Sequence, residues 1–219
     1  LLAGVIAAVL ATLVTLPIWR LGGHYVSMAT LALGYIVLSV IRGWDALTKG
    51  AYGLSGIPAP EILGLRLLVA EDHYQLDLVV LAITLFVVFR IRSSHLGNVL
   101  AAVGSDEIAS RSLGLRTRGY KALAYALAAF FAGMAGALLA HQCNYLDPTV
   151  FTVQMSVLVL TIVVLGGINS PFGAVLGSLA LVGLPEALRL APDVRILLYG
   201  IVVIAIIRFL PQGLWTRRA

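Results

Sequence analysis

The stretch that decides the fold is Ala122-Leu-Ala-Tyr-Ala-Leu-Ala-Ala-Phe-Phe-Ala-Gly-Met-Ala-Gly-Ala-Leu-Leu-Ala140, uncharged from end to end and bracketed by Lys121 and His141. A helix crossing the hydrocarbon of a bilayer needs about 20 mostly apolar residues, and this run has that length. Comparable runs cover Leu1 to Ile18, His24 to Ile41, Tyr74 to Phe89, Val150 to Ile168, Phe172 to Leu184 and Arg195 to Leu210, with those at Tyr74 and Phe172 the shortest. None has the alternating pattern of a barrel strand, the other way to satisfy backbone groups in lipid. The chain reads as all-α, a polytopic transmembrane helix bundle of about seven spans. Its first run is apolar from Leu1 with no basic stretch ahead of it. That is expected of a helix within a bundle rather than of a signal peptide, with further N-terminal spans upstream.

Composition supports the same class. Apolar residues make up 60% of the 219 and charged residues 11%, with a mean hydropathy of +1.00. A soluble domain carries roughly a quarter of its residues as Asp, Glu, Lys or Arg, so a water-soluble globule is excluded, and so apolar a chain would not stay disordered. The net charge of +5 does not point to nucleic acid, because the basic residues sit at span ends rather than along one face. Membrane lipid is the expected surrounding. Cys143 is the single cysteine, which excludes an internal disulfide or thiolate cluster. His24 and His141 have no companion ligands, so no metal is expected, and no cofactor.

Lys and Arg also orient the spans. One side collects Arg20, Arg90, Arg92, Arg111, Arg116, Arg118, Lys121, Arg208, Arg217 and Arg218; the other has only Arg42, Lys49, Arg66, Arg189 and Arg195. The richer side is assigned to the cytoplasm. Residues 42–73 then form an extracytoplasmic loop and 90–121 a cytoplasmic one, both longer than a membrane hairpin needs. Trp19, Trp44 and Trp215 fall near interfaces, where indoles anchor helices.

In the inner loop Leu96, Val99, Leu100 and Val103 form one apolar helical face. After Gly104, Ser105 is expected to cap a second short helix whose first turn holds Asp106 and Glu107, and Gly114 suits its C-terminal end. Two readings stand: a compact knob for a soluble partner, or basic amphipathic helices lying on the membrane. Small residues at Ala129, Ala132, Gly133, Gly136 and Ala137, and again at Gly173 and Gly177, are spaced for close helix packing. Gly166, Gly167, Asn169, Ser170, Pro171 and Gly173 interrupt any helix there. That interruption is either a tight turn or the lining of a path's inner exit. In the outer loop the glycines between Thr48 and Pro58 read as compact turns, with Asp45 and Tyr52 as candidate polar contacts.

No Gly-x-x-x-x-Gly-Lys-[Ser/Thr] motif occurs, so the chain lacks a P-loop for ATP. No span carries Asp, Glu or Lys at its middle, where ion-coupled carriers keep such groups, and none shows a nucleophile and base for an intramembrane enzyme.

Four stretches carry a family resemblance: Gly104-Ser-Asp-Glu-Ile-Ala-Ser-Arg-Ser-Leu-Gly-Leu115 followed by Tyr120-Lys121, Tyr52-Gly-Leu-Ser-Gly-Ile-Pro58, Leu165-Gly-Gly-Ile-Asn-Ser-Pro-Phe-Gly173, and Arg208-Phe-Leu-Pro-Gln-Gly-Leu214. In this order they resemble the inner-membrane permease subunits of ABC importers for branched-chain amino acids, a family that includes urea and short-amide permeases. The resemblance implies a single transmembrane permease domain over 1–219 in a bacterial inner membrane. It also implies ATP-binding cassette subunits, a homologous permease subunit and an extracytoplasmic solute-binding protein as partners. By position it makes Asp106, Glu107, Ile108, Ala109 and Gly114 the segment that couples to the ATPase. An ATP-independent channel or secondary carrier for a small solute such as urea is the alternative.

The topology is open to a direct check. In a Cys143→Ser background, Tyr52→Cys should react with an impermeant maleimide added outside intact cells, and Ser112→Cys only after permeabilisation. The reverse pattern would invert the assignment of sides.

Overall fold

The computed structural model describes residues 1–15, 17–18, 24–58, 61–62, 65–66, 70–167 and 170–183. The expected span Arg195 to Leu210, the Arg208 to Leu214 stretch, Trp19, Trp215 and Asn169 lie outside the described residues. The chain forms two compact units, Leu1–Thr152 and Val153–Ala219.

In the first unit α1 is Leu2–Thr15, α2 His24–Gly43, α3 Asp45–Thr48, α4 Ala70–Arg92, α5 His95–Ser105, α6 Glu107–Ser112 and α7 Thr117–Cys143. Strand β1 (Leu54–Ser55) pairs antiparallel with β4 (Tyr145–Leu146), and β2 (Glu61–Ile62) with β3 (Leu65–Arg66). In the second unit α8 is Val153–Gly166 and α9 Pro171–Ser178, followed by one π turn over Leu179–Gly183. The protein is an all-α polytopic membrane bundle. Among the described residues two helices, His73–Arg92 within α4 and all of α7, are individually long and apolar enough to span. Helices Val153–Gly166 and Pro171–Gly183 meet the same test only as a pair, bent by 119°.

The helical runs extend past the apolar ones. The expected third span, short at Tyr74 to Phe89, is the central part of a 23-residue helix, because intrahelical hydrogen bonding does not stop where polar side chains begin. The long loops shrink accordingly at both ends. Hydroxyls inside apolar helices bond back to their own backbone: Thr12 to Ala8 at 2.7 Å, Thr15 to Ala11 at 2.6 Å and Thr161 to Val157 at 2.8 Å. Such bonds satisfy a polar group where water is absent.

Glycine sets the helix crossings. Helix α1 packs on α7, and a Cβ placed on Gly4 would lie 2.8 Å from the Phe130 carbonyl oxygen. One placed on Gly133 would lie 2.6 Å from the Ala7 Cβ and 2.8 Å from the Ala3 carbonyl oxygen. In the second unit a Cβ on Gly166 would strike the Gly173 carbonyl, one on Gly173 the Gly166 carbonyl, and one on Gly177 the Ile162 carbonyl at 2.5 Å. Gly133 of the first expected small-residue stripe, and Gly173 and Gly177 of the second, therefore sit at packing contacts. Gly136 is the exception, with no atom within 4 Å of a Cβ there. Large apolar side chains elsewhere point outward, Phe86 70% and Leu160 63% exposed. Outward apolar surface is normal for a face that meets lipid or another subunit.

Two neighbouring glycines on one helix give an internal control. Gly133→Ala should lower stability in detergent by about 1–3 kcal/mol through overpacking. Gly136→Ala should be neutral or raise it by up to about 1 kcal/mol through helix propensity. Thermal unfolding of the two variants side by side checks this.

Candidate functional site

The polar features cluster at the two ends of α7. At its start, α4 ends at Arg92 and the chain turns through Ser93 and Ser94. Ser94 caps α5 by accepting from the Gly97 N–H at 3.4 Å. Gly97 permits the tight reversal, since a Cβ there would lie 2.5 Å from the Ile91 carbonyl oxygen. Val99 and Val103 of the expected apolar face are buried, and α5 packs on α4 and α7.

The break between α5 and α6 falls one residue later than the sequence indicated. Ser105 is the last residue of α5, its hydroxyl donating to the Ala101 carbonyl at 2.9 Å. Asp106 is the cap instead: its backbone is extended (φ −148°, ψ 107°) and its Oδ1 accepts from the Ile108 and Ala109 N–H groups at 2.8 and 3.0 Å. Serine and aspartate are comparable caps, so residue type did not separate them. The far end closes as expected, with Gly114 at φ +81°. Gly114 N–H donates to Arg111 and Leu115 N–H to Ser110, at 2.9 and 3.1 Å, the paired bonds of a glycine-terminated helix.

Glu107 is held within its own chain. Its Oε1 accepts from Arg111 Nη2 at 2.5 Å and from the Thr117 hydroxyl at 3.3 Å, and its Oε2 accepts from Lys121 Nζ. Arg111 Nε also donates to Thr117 Oγ1 at 3.1 Å. The hydrogen bond from Lys121 holds the Glu107 carboxyl below its ordinary value; partial burial pushes the other way, and Arg111 adds to the lowering. Outward the knob turns Ile108, 79% exposed, Ala109 and, at the C-cap, Leu113, 81% exposed, together with the exposed Asp106, Arg111 and Ser112. A shallow depression of about 490 Å³, lined by Gly114, Leu115, Arg116, Gly119, Tyr120 and Leu123, lies next to this knob.

At the other end of α7 the 42–73 loop, expected to be the outer one, is fastened down. β1 pairs with β4, the Tyr145 hydroxyl donates to the Tyr52 carbonyl at 3.0 Å, and Gly56 N–H donates to the Asn144 carbonyl at 3.2 Å. His141 Nδ1 lies 2.9 Å from the Pro58 carbonyl oxygen, a contact that needs the proton on Nδ1. Gly53 sits at φ +69°, where a Cβ would strike the Leu146 carbonyl. Asp45 opens α3, its carboxylate against Gly50, while the Tyr52 ring is 88% exposed.

In the second unit Gly166 and Gly173 are buried against each other, and Gly167 takes φ +109°. Ser170 caps α9 by accepting from Gly173 N–H at 3.3 Å. The structure thus brings Asp106, Glu107, Ile108, Ala109 and Gly114 into one knob. Sequence reading did not find Thr117 and Lys121 as partners of Glu107, nor Tyr145 and Asn144 as partners of the outer loop. Only the Glu107/Arg111 pair had a signal, its four-residue helical spacing.

Long apolar helices, close glycine crossings and a capped polar knob outside the spans define an integral membrane protein of the helical-bundle class. Residues 1–207 match the family described as branched-chain amino acid transport system / permease component, and the chain belongs to that family, one of transport permeases rather than enzymes. It is 33% identical, over 97% of its length, to the high-affinity branched-chain amino acid transport system permease protein LivM of Escherichia coli strain K12, and equally to that of Salmonella typhimurium. It is 32% identical, over 64% of its length and 44% of the relative's, to the permease protein LivH of Escherichia coli strain K12. The chain spans 56% of the length of the LivM proteins. No solved structure matches it.

Two outcomes follow for the knob. Asp106→Ala should lose about 1 kcal/mol of helix stability, raising amide exchange at Ile108 and Ala109 about fivefold, whereas Asp106→Ser should stay near the parent. Because the folded Glu107 carboxyl titrates below its unfolded value, its tie to α7 is fully present above about pH 4.3 and is lost as pH falls through the lower folded value. Amide exchange in α6, corrected for intrinsic rates, should be flat from pH 8 to 5 and rise only in the more acid range.

Proposed function

We propose that the chain is a membrane-spanning permease subunit of an ABC importer, moving branched-chain amino acids or a similar small solute into the cytoplasm. Separate ATP-binding subunits supply the energy. The observation that carries this reading is the α6 knob: a capped, braced helix that holds Ile108, Ala109 and Leu113 out of its own chain. An exposed apolar tip on a rigid polar base is a surface that a soluble partner covers. Helices merely lying on a bilayer would not need the Glu107 tie. The family and the LivM relatives support the same direction.

In this reading residues 1–219 act as one multi-pass permease domain in a bacterial inner membrane. The domain is paired with a homologous permease subunit and served by two ATP-binding subunits. The segment Asp106, Glu107, Ile108, Ala109 and Gly114 couples to the ATPase, with Ile108 and Ala109 on the contact side. The outer loop, with Asp45 and the exposed Tyr52 ring, meets an extracytoplasmic solute-binding protein. The 166–173 segment, which holds the break between α8 and α9, borders the inner exit; Gly166 and Gly173 supply close backbone packing and Gly167 and Ser170 flank the turn, with Asn169 outside the described residues. ATP binding closes the ATPases, the knob is displaced, and outward- and inward-facing packings exchange by population shift.

The test uses the assembled transporter in proteoliposomes. Ile108→Asp with Ala109→Asp should insert normally yet lower ATP-driven leucine uptake at least tenfold and release the ATP-binding subunit on purification. Uptake that survives both these substitutions and the removal of ATP would instead identify an ATP-independent channel or carrier.

A further inference from the structure

Both carboxylate oxygens of Glu107 accept from groups of its own chain, Arg111 and Thr117 on Oε1 and Lys121 on Oε2. Thr117 and Lys121 both belong to the first turns of α7, so the carboxylate bridges two helices. Helix α6 has only six residues, too few to hold its orientation by helix formation alone. Its covalent joints are the extended Asp106 on one side and the turn containing Gly114 at φ +81° on the other. Buried Ser110 and the Arg111 Nε–Thr117 Oγ1 bond already hold α6 near α7, and the Glu107 tie adds the contact that resists a swivel of α6 about these joints. With the tie, a force on the tip is delivered to α7. That helix runs for 27 residues, about 40 Å at 1.5 Å per residue, and residues at or just beyond its far end hold the outer loop through His141, Asn144, Tyr145 and Leu146.

We infer that Glu107 is a positioning residue, an internal strut that locks α6 to α7 so that displacement of the knob becomes displacement of α7, and is not a contact to the ATPase. The strut itself stands on the geometry; its use in transport rests on the permease reading above. Charge-assisted bonds converging on one carboxylate hold a fixed geometry better than any single pair. A partner cation would meet a carboxylate already paired with Lys121 and Arg111. The contact to the partner falls instead to the exposed apolar residues.

Two readouts separate the strut from the permease reading. Spin labels at Ala109→Cys and Arg118→Cys, in a Cys143→Ser full chain in nanodiscs, should give one narrow distance distribution. Glu107→Gln or Lys121→Glu should broaden it at least twofold, and the exchange Glu107→Lys with Lys121→Glu should restore it. A distribution unchanged by Glu107→Gln overturns the strut. In the assembled transporter, Glu107→Gln should retain the ATP-binding subunit on purification while losing uptake at least tenfold, with the charge exchange recovering uptake. Loss of the ATP-binding subunit from Glu107→Gln, unrepaired by the exchange, would make Glu107 a docking contact and overturn the inference. If the parent chain captures no ATP-binding subunit, the permease reading fails, and the spin-label arm alone decides the strut.

Discussion

Close backbone approach at glycine is the constraint on which this architecture rests. Between helices in lipid there is no hydrophobic force, since the acyl chains are as apolar as leucine, and association depends on short-range packing. Gly4 and Gly133 let α1 lie on α7, and Gly166, Gly173 and Gly177 let α9 fold back on α8. At each crossing the nearest atoms to a missing methyl include a backbone carbonyl oxygen, which cannot step aside as a side chain can. The contrast with Gly136, where a Cβ would meet nothing within 4 Å, separates a glycine required by geometry from one that only shares the pattern.

Polar interactions work where the spans end, and they do two different things. At the start of α7 a carboxylate gathers a guanidinium, an ammonium and a hydroxyl, fastening a six-residue helix that could not hold its own direction. Beyond its end, strand pairing and a tyrosine hydroxyl fasten a loop from far earlier in the chain. A single helix therefore carries the attachments of both long loops. The Asp106 cap and the Gly114 turn set the shape of the knob, Glu107 helps to set its direction, and Ile108 and Leu113 are the large apolar residues on its outward surface.

Much of the fold was legible in the amino-acid sequence because its signals are local. Apolar run length marked the described spans, the small-residue stripes marked the crossings of α1 on α7 and of α9 on α8, and Gly114 marked the end of α6. Three kinds of feature were not legible. Helix ends ran past the apolar limits, as at Ala70 and Thr117, because backbone bonding continues into polar sequence. The choice between Ser105 and Asp106 as cap turned on a one-residue difference in backbone conformation that residue preference does not resolve. The partners of Glu107 and of the outer loop were invisible because Lys121 lies fourteen positions on and Tyr145 ninety-three beyond Tyr52. Such pairings depend on how helices are laid side by side, which no spacing rule encodes.

The clasp between Leu54–Ser55 and Tyr145–Leu146 also orders events during biogenesis. Synthesis delivers Leu54 and Ser55 long before Tyr145 and Leu146, so the clasp cannot close until the chain through α7 has been made. Only then can the exposed edge of Leu54 and Ser55 find its mate. Over that interval the nascent chain presents Leu54 and Ser55 without the strand that they pair with in the fold.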